Sequence, residues 1–261
     1  MSESEDRSRV AVFRPDDERI AAAETLLSDL GVEAVTDPML AVDPTGATPE
    51  AAEYVVFTSK TGAELVAAAG WEPGDVTVVA IGPKTADALE TAGYTVDLLP
   101  DTYTSAGLVD LLTDRVASGE PRPSDSRPEN ETSVEVARSD HGSPVLLDGL
   151  RDAGATVHET VLYRLVRPDG SGESAELAAA GDLDAACFTS SLTVEHFLDA
   201  ADERGLRAAA IVGLNAAVVG VIGDPTRRTA ESLGIDVDVV PAEATFEALA
   251  RETVAELHET A

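Results

Sequence analysis

The chain has 261 residues, 44% of them apolar and 26% charged, and carries a formal net charge of −31 at pH 7. That apolar fraction excludes wholesale disorder, and the length fits one large domain or two of ordinary size. So negative a surface excludes nucleic acid and anionic membranes as partners.

In chain order, Arg9-Val10-Ala11-Val12-Phe13-Arg14-Pro15 is a short apolar run closed by a turn signal, and reads as a buried strand. Asp17 to Leu30 follows as a helix, with Ile20, Ala23, Leu26, Leu27 and Leu30 on one face and Gly31 as its stop. Val32 to Val35 is a second strand, leading into Asp37-Pro38-Met39-Leu40-Ala41-Val42. This β–α–β order predicts an α/β protein with a parallel sheet. Tyr54 to Phe57 is the next strand, and Thr58-Ser59-Lys60-Thr61-Gly62 turns into a helix over Ala63 to Ala69. Val76 to Ile81 is a strand, and Gly82-Pro83-Lys84-Thr85 turns into a helix over Ala86 to Ala92. Thr95 to Leu99 reads as a strand, and Ser105 as the cap of a helix from Ala106 to about Val116. Residues 117–133 hold Pro121, Pro123 and Pro128 among polar residues without apolar periodicity, and read as a flexible surface insertion. Arg167 to Ala175 is a second polar boundary.

The acid excess is spread along the chain, and only two of the 18 basic residues are lysines, Lys60 and Lys84. Acidic, lysine-poor surfaces of this kind resemble those of proteins from salt-loving archaea, where molar salt cuts the Debye length to roughly 3 Å and makes such a charge tolerable; the alternative is a merely acidic mesophilic protein. The single cysteine, Cys187, cannot form an internal disulfide and fits a reducing cytoplasm. The acidic N-terminus has no signal-peptide core, and the longest apolar stretch, Ala208 to Ile222, is too short to span a membrane. A soluble, cytoplasmic protein is expected.

An internal repeat is the most informative feature. Phe57-Thr58-Ser59 recurs as Phe188-Thr189-Ser190. Ile81-Gly82, Gly93 and Pro100 recur as Ile222-Gly223, Gly234 and Pro241, all 141 residues on, as does Thr104 to Leu108 at Thr245 to Leu249. Val12-Phe13-Arg14, a helix and Gly31 resemble Val136-Ala137-Arg138, a helix and Gly154. Two similar α/β domains are expected.

Ligands of open parallel sheets bind beyond the carboxyl ends of the strands. Those ends are the repeated loops holding Ser59, Lys60, Gly82, Lys84 and Thr85 in one half, and Ser190, Ser191, Gly223 and Thr226 in the other. Their hydroxyls and backbone N–H groups at helix N-termini favour an anion, and both lysines lie among them. The alternative is that the hydroxyls serve only as N-caps. No P-loop, dinucleotide fingerprint, nucleophile elbow or metal-ligand spacing of histidines is present. Cys187, inside a strand, and Trp71 read as core residues. Tyr163, in Val161-Leu162-Tyr163-Arg164-Leu165 near a boundary, is either a packing aromatic or a cleft residue.

Taken together, Val56-Phe57-Thr58-Ser59, Ala80 to Ala86 with Gly93-Tyr94, Thr104 to Leu108, Gly154 to Val157 leading to Tyr163-Arg164, and Ile222-Gly223 with Thr226 resemble the uroporphyrinogen-III synthase family. The resemblance spans nearly the whole chain outside 117–133. It implies two flavodoxin-like domains joined by a two-stranded antiparallel linker (37–42 and 161–167), with the chain crossing between them. Domain 1 would be 7–37 with 171–261, and domain 2 would be 42–162. It implies cyclisation of hydroxymethylbilane to uroporphyrinogen III, with loss of water and inversion of the last ring. No cofactor or metal is needed, since the pyrrole supplies its own electron push, and a monomer is implied. The family's linker tyrosine matches Tyr163 as proton donor to the leaving hydroxyl. Thr226, Thr85, Ser59 and Ser190 match its loop contacts, with Pro225 and Thr61 departing from common family residues. Lys60, Lys84, Arg14 and Arg138, with Ser105, Ser191, Gly82 and Gly223, are expected to meet the eight carboxylates of the substrate. The alternatives are a non-catalytic tetrapyrrole- or anion-binding paralogue and a two-domain small-ligand binding protein of periplasmic type.

Overall fold

The computed structural model describes residues 7–15, 18–118 and 132–260. The expected 117–133 insertion falls largely outside the described residues; the preceding helix runs to Ser118 and the next strand starts at Ser133. The described chain divides into two units, one formed by residues up to 41 with 166 onward, the other by 42–165.

Unit 1 holds strands β1 (Arg9–Phe13) and β2 (Glu33–Thr36). Unit 2 holds β3 (Ala41–Pro44), which begins on the boundary, with β4 (Tyr54–Phe57), β5 (Thr77–Ala80), β6 (Ser133–Ser139) and β7 (Thr156–Val166). Strands β8 (Ala185–Phe188) and β9 (Val218–Val221) complete unit 1. The unit 1 sheet runs β2-β1-β8-β9, every pair parallel. The unit 2 sheet runs β3-β7-β6-β4-β5, and its β7-β6-β4-β5 part is parallel throughout. With the isolated bridges at Val239 and Leu98 as a fifth position, each unit repeats the flavodoxin-like order 2-1-3-4-5. In unit 2 the chain enters that order at the third position, so β6, β7, β4 and β5 stand where β1, β2, β8 and β9 stand in unit 1.

The helices follow the periodic faces read from the sequence. In unit 1, α1 (Glu18–Asp29) and α10 (Phe246–Thr260) cover one face of the sheet, through Ala23, Leu27, Leu249 and Val254. The other face is covered by α6 (Glu173–Ala180), α7 (Ser191–Glu203), α8 (Arg207–Leu214) and α9 (Asp224–Ser232). There Phe13 stacks on Phe188 at 4.4 Å, and Phe197 meets both rings. In unit 2, α2 (Lys60–Ala68) and α3 (Pro83–Thr91) cover one face, while α4 (Ser105–Ser118) and α5 (Pro144–Asp152) cover the other. Cys187 is buried in β8, and Trp71 packs between Phe57 and Tyr94.

The structure explains the two spacings of the repeat. Phe57 and Phe188 lie 131 residues apart, and Gly82 and Gly223 lie 141 apart, because between the matched positions unit 1 has a longer helix, α7 at 13 residues against 9 in α2, and the additional helix α8. The apolar stretch 208–222 is therefore a helix followed by a buried strand. Among the described residues no helix is long and apolar enough to cross a membrane.

One expected strand is corrected. Thr95 to Leu99 is irregular, with a single bridge from Leu98 to Val79. The Asp97 carboxylate takes the Val78 amide at 2.8 Å, replacing a ladder bond with a side chain. Asp238 does the same to Val219, at the same distance and 141 residues on.

Candidate active site

Ser59 follows β4 and caps α2. Its backbone is extended and its Oγ accepts the Gly62 amide at 3.0 Å. Tyr163, on β7, donates its hydroxyl to the same Oγ at 3.0 Å, across 104 residues of sequence. A bulge makes this possible. Arg138 pairs with Val161 but Ser139 pairs with Tyr163, so one extra residue enters β7. Leu162 and Tyr163 are consecutive, yet both are buried in the same core beneath α2, at 1% and 6% exposure. Regular alternation would have sent one of them to the opposite face.

The loop after β6 braces Tyr163. The Asp140 amide donates to the Tyr163 carbonyl at 3.2 Å, and its Oδ1 accepts the Leu165 amide at 3.0 Å. His141 Nδ1 lies 2.8 Å from the same oxygen. Burial would raise the Asp140 carboxyl, but the hydrogen bonds from His141 and Leu165 outweigh it and hold it below the ordinary value. Sequence reading missed this pair because it tested the histidines only for metal spacing; adjacent Asp-His directly after an apolar strand was the available signal.

Beside this, α3 begins at Gly82, which offers no side-chain cap, with Pro83 in the first turn. Thr85 is 4% exposed, and no partner to its hydroxyl occurs among the described residues. Lys84 is exposed and makes no ion pair among the described residues, so the helix start is open to an anion. Tyr103, also missed from sequence, lies against Gly82, where a Cβ would come within 3.2 Å of its side chain.

Other expected contacts are placed differently. Lys60 pairs with Glu64 at 3.2 Å in solvent. Arg138 offers no free charge: it is buried, its Nε meets Glu159 at 2.5 Å and its Nη1 meets the Ser143 carbonyl at 2.6 Å. Its side chain is on the β6 face opposite Tyr163, where an internal carboxylate neutralises it. Ser105 is the first residue of α4, not its cap. That role falls to Thr104, whose Oγ1 accepts the Gly107 amide at 3.1 Å.

In unit 1, Ser190 caps α7 in a reciprocal box with Thr193. The Ser191 hydroxyl donates to the Pro225 carbonyl at 3.2 Å and lies 2.9 Å from Thr229 Oγ1, tying α7 to α9. Thr226 is 3% exposed in the first turn of α9, after Gly223. That turn already holds an acid, Asp224, paired to Arg227 at 2.8 Å. Arg14 stacks over the Phe246 ring, 4.4 Å from its centroid. The ion-free helix start with a lysine is thus in unit 2.

The family model for uroporphyrinogen-III synthase HemD matches residues 21–251. The chain belongs to the uroporphyrinogen-III synthase family. A relative from Methanothermobacter thermautotrophicus, provisionally assigned as a uroporphyrinogen-III synthase, is 33% identical over 242 residues, covering 87% of this chain and 90% of the relative. The fold is that of solved synthases. A mutant uroporphyrinogen III synthase from Thermus thermophilus matches with a TM-score of 0.64 and 19% identity, over 97% of this chain and 100% of that one. The Helicobacter pylori enzyme matches with a TM-score of 0.54 and 14% identity, over 97% and 99%.

Proposed function

We infer that this synthase acts on hydroxymethylbilane, cyclising it to uroporphyrinogen III with loss of water and inversion of the last ring. It is a cyclising lyase of tetrapyrrole biosynthesis. The observation that carries the site assignment is the Tyr163 hydroxyl bonded to Ser59 at the start of α2, in a chain of this family. The pyrrole nitrogen pushes the hydroxyl off as the C–O bond breaks, and the proton that makes it water comes from the Tyr163–Ser59 pair. The azafulvene then attacks, forming a spiro intermediate that fragments and recloses. Holding so flexible a chain is an entropic task, assigned to helix N-termini gripping its carboxylates.

For that grip we propose Thr85, Gly82, Lys84, Lys60 and Ser59 in unit 2, and Thr226, Gly223, Ser190 and Arg14 in unit 1. Thr85, 4% exposed in the first turn of α3 with no partner to its hydroxyl among the described residues, supports this most directly beside the exposed Lys84. Arg138 is left out because Glu159 already neutralises it. The discontinuous domain 1 and the inserted domain 2 are taken as the two substrate-binding bodies. A monomer in a saline cytoplasm fits the charge of −31 and the two lysines. The direct test supplies fresh hydroxymethylbilane to purified protein in molar KCl and separates the oxidised porphyrin isomers. The type III isomer is expected; type I alone, the spontaneous product, would refute the reading.

A further inference from the structure

We propose that Ser59 is the group that hands the proton to the departing hydroxyl, with Tyr163 behind it as the proton's source. This rests on the synthase reading above. A serine hydroxyl has two acceptor lone pairs and one hydrogen. Both lone pairs of Ser59 are filled, by the Gly62 amide and the Tyr163 hydroxyl, each at 3.0 Å. Its hydrogen has no acceptor among the described residues. Ser59 can therefore only donate, and it donates outward: it is half-buried, whereas Tyr163 behind it is buried. The direction of the Tyr163–Ser59 bond follows from acidity, since a phenol is the stronger acid and an aliphatic hydroxyl the better acceptor. The positive end of α2 and the donated phenol proton both polarise the serine O–H.

The duplicated fold supplies an internal control. Ser190 caps α7 as Ser59 caps α2, but no phenol reaches it. The bridge Pro15–Leu40 in unit 1 stands where Ser139–Tyr163 stands in unit 2, so Leu40 takes the place of the tyrosine. Position 62 differs in concert. Its counterpart Thr193 accepts the Ser190 amide and donates to the Ser190 carbonyl, closing a purely structural cap. Gly62 has no side chain, and a Cβ there would meet Ser59 Oγ and Leu162 at 3.1 Å and come within 4.0 Å of the Tyr163 ring. A side chain at this helix-disfavouring glycine would crowd Ser59 Oγ, the phenol's acceptor, and its absence leaves that oxygen in place. Capping alone needs neither the tyrosine nor the glycine.

The step balances. The C–O bond breaks with its electron pair going to oxygen, which takes the Ser59 proton and leaves as water. Ser59 takes the Tyr163 proton, while the pyrrole nitrogen lone pair forms the azafulvenium. The phenolate recovers a proton when the newly bonded pyrrole carbon loses its own on rearomatising, so none is consumed overall.

The test begins with the wild type, which must give the type III isomer; failure there sinks the synthase reading and this proposal with it. Ser59→Asn keeps a good helix cap but has no hydroxyl proton, and is expected to lower kcat about 10²-fold with KM within about threefold. Ser59→Thr, which keeps both cap and hydroxyl, is expected to recover most of that loss. Tyr163→Phe should fall by a similar factor, and the double variant no further than the worse single, because members of one relay act as a unit. Gly62→Ala, with both hydroxyls intact, should lose about tenfold by pushing Ser59 Oγ out of place. Thermal midpoints in the same KCl separate these effects from unfolding. Wild-type kcat in Ser59→Asn alongside a loss in Tyr163→Phe would overturn the relay while leaving the synthase reading intact. Losses that multiply in the double variant would do the same.

Discussion

Asp37 closes unit 1 over the stretch of sequence that leaves it. It follows β2 and is 4% exposed. Its oxygens accept the Gly172 amide at 2.8 and 3.1 Å, the Ser174 amide at 2.9 Å and the Ser174 hydroxyl, at the start of α6. The tie spans 135 residues, nearly all of them unit 2. Asp37→Ala leaves two buried amides without an acceptor at about 1–3 kcal/mol each, so the expected loss is about 4 kcal/mol. At 2–4 °C per kcal/mol for a unit of this size, the midpoint should fall by roughly 10 °C. Asp37→Asn keeps one acceptor oxygen and should lose about half as much. The assay is thermal unfolding by circular dichroism in molar KCl, following the transition of unit 1. A midpoint for Asp37→Ala within about 2 °C of wild type would refute the reasoning.

Three further outcomes are expected. Lys60→Ala with Lys84→Ala should raise KM for hydroxymethylbilane about tenfold with kcat little changed; an unchanged KM would end the assignment of these lysines to carboxylate capture. Burial pushes the Cys187 thiol up to about 12, so the native protein at pH 8 should not react with a thiol reagent and the unfolded chain should react at once. Burial raises the Glu135 carboxyl above its ordinary value, against the lowering bond from Thr160. The folded state therefore favours its protonated form, and stability is lost as pH rises from the unfolded carboxylate value through the folded one. Glu135→Gln should melt higher than wild type at pH 7, with the gain vanishing near about pH 4; an equal gain at both pH values would contradict it.

Much of the fold is legible in the sequence because it rests on local rules. Short apolar runs, helical faces and glycine stops mark β1 to α5 and their repeats, and the recurring Phe-Thr-Ser and Ile-Gly landmarks expose the duplication before any contact is known. Ser59 and Ser190 are readable as caps for the same reason: capping is decided within three residues. Tertiary structure decides whatever depends on partners far apart in sequence. Thr95 to Leu99 loses its strand to the Asp97 carboxylate. Arg138 looks like the twin of Arg14, yet Glu159 on the neighbouring strand cancels its charge. Composition announced an acidic protein with two lysines, but only folding placed Lys84 at an uncapped helix start and Lys60 beside Glu64. The meeting of Tyr163 with Ser59 needs the extra residue in β7, while the missing side chain at Gly62 leaves Ser59 Oγ uncrowded. Gly62 is plain in the sequence, but the bulge has no local signature, since it is defined only by the register of a strand against its neighbour.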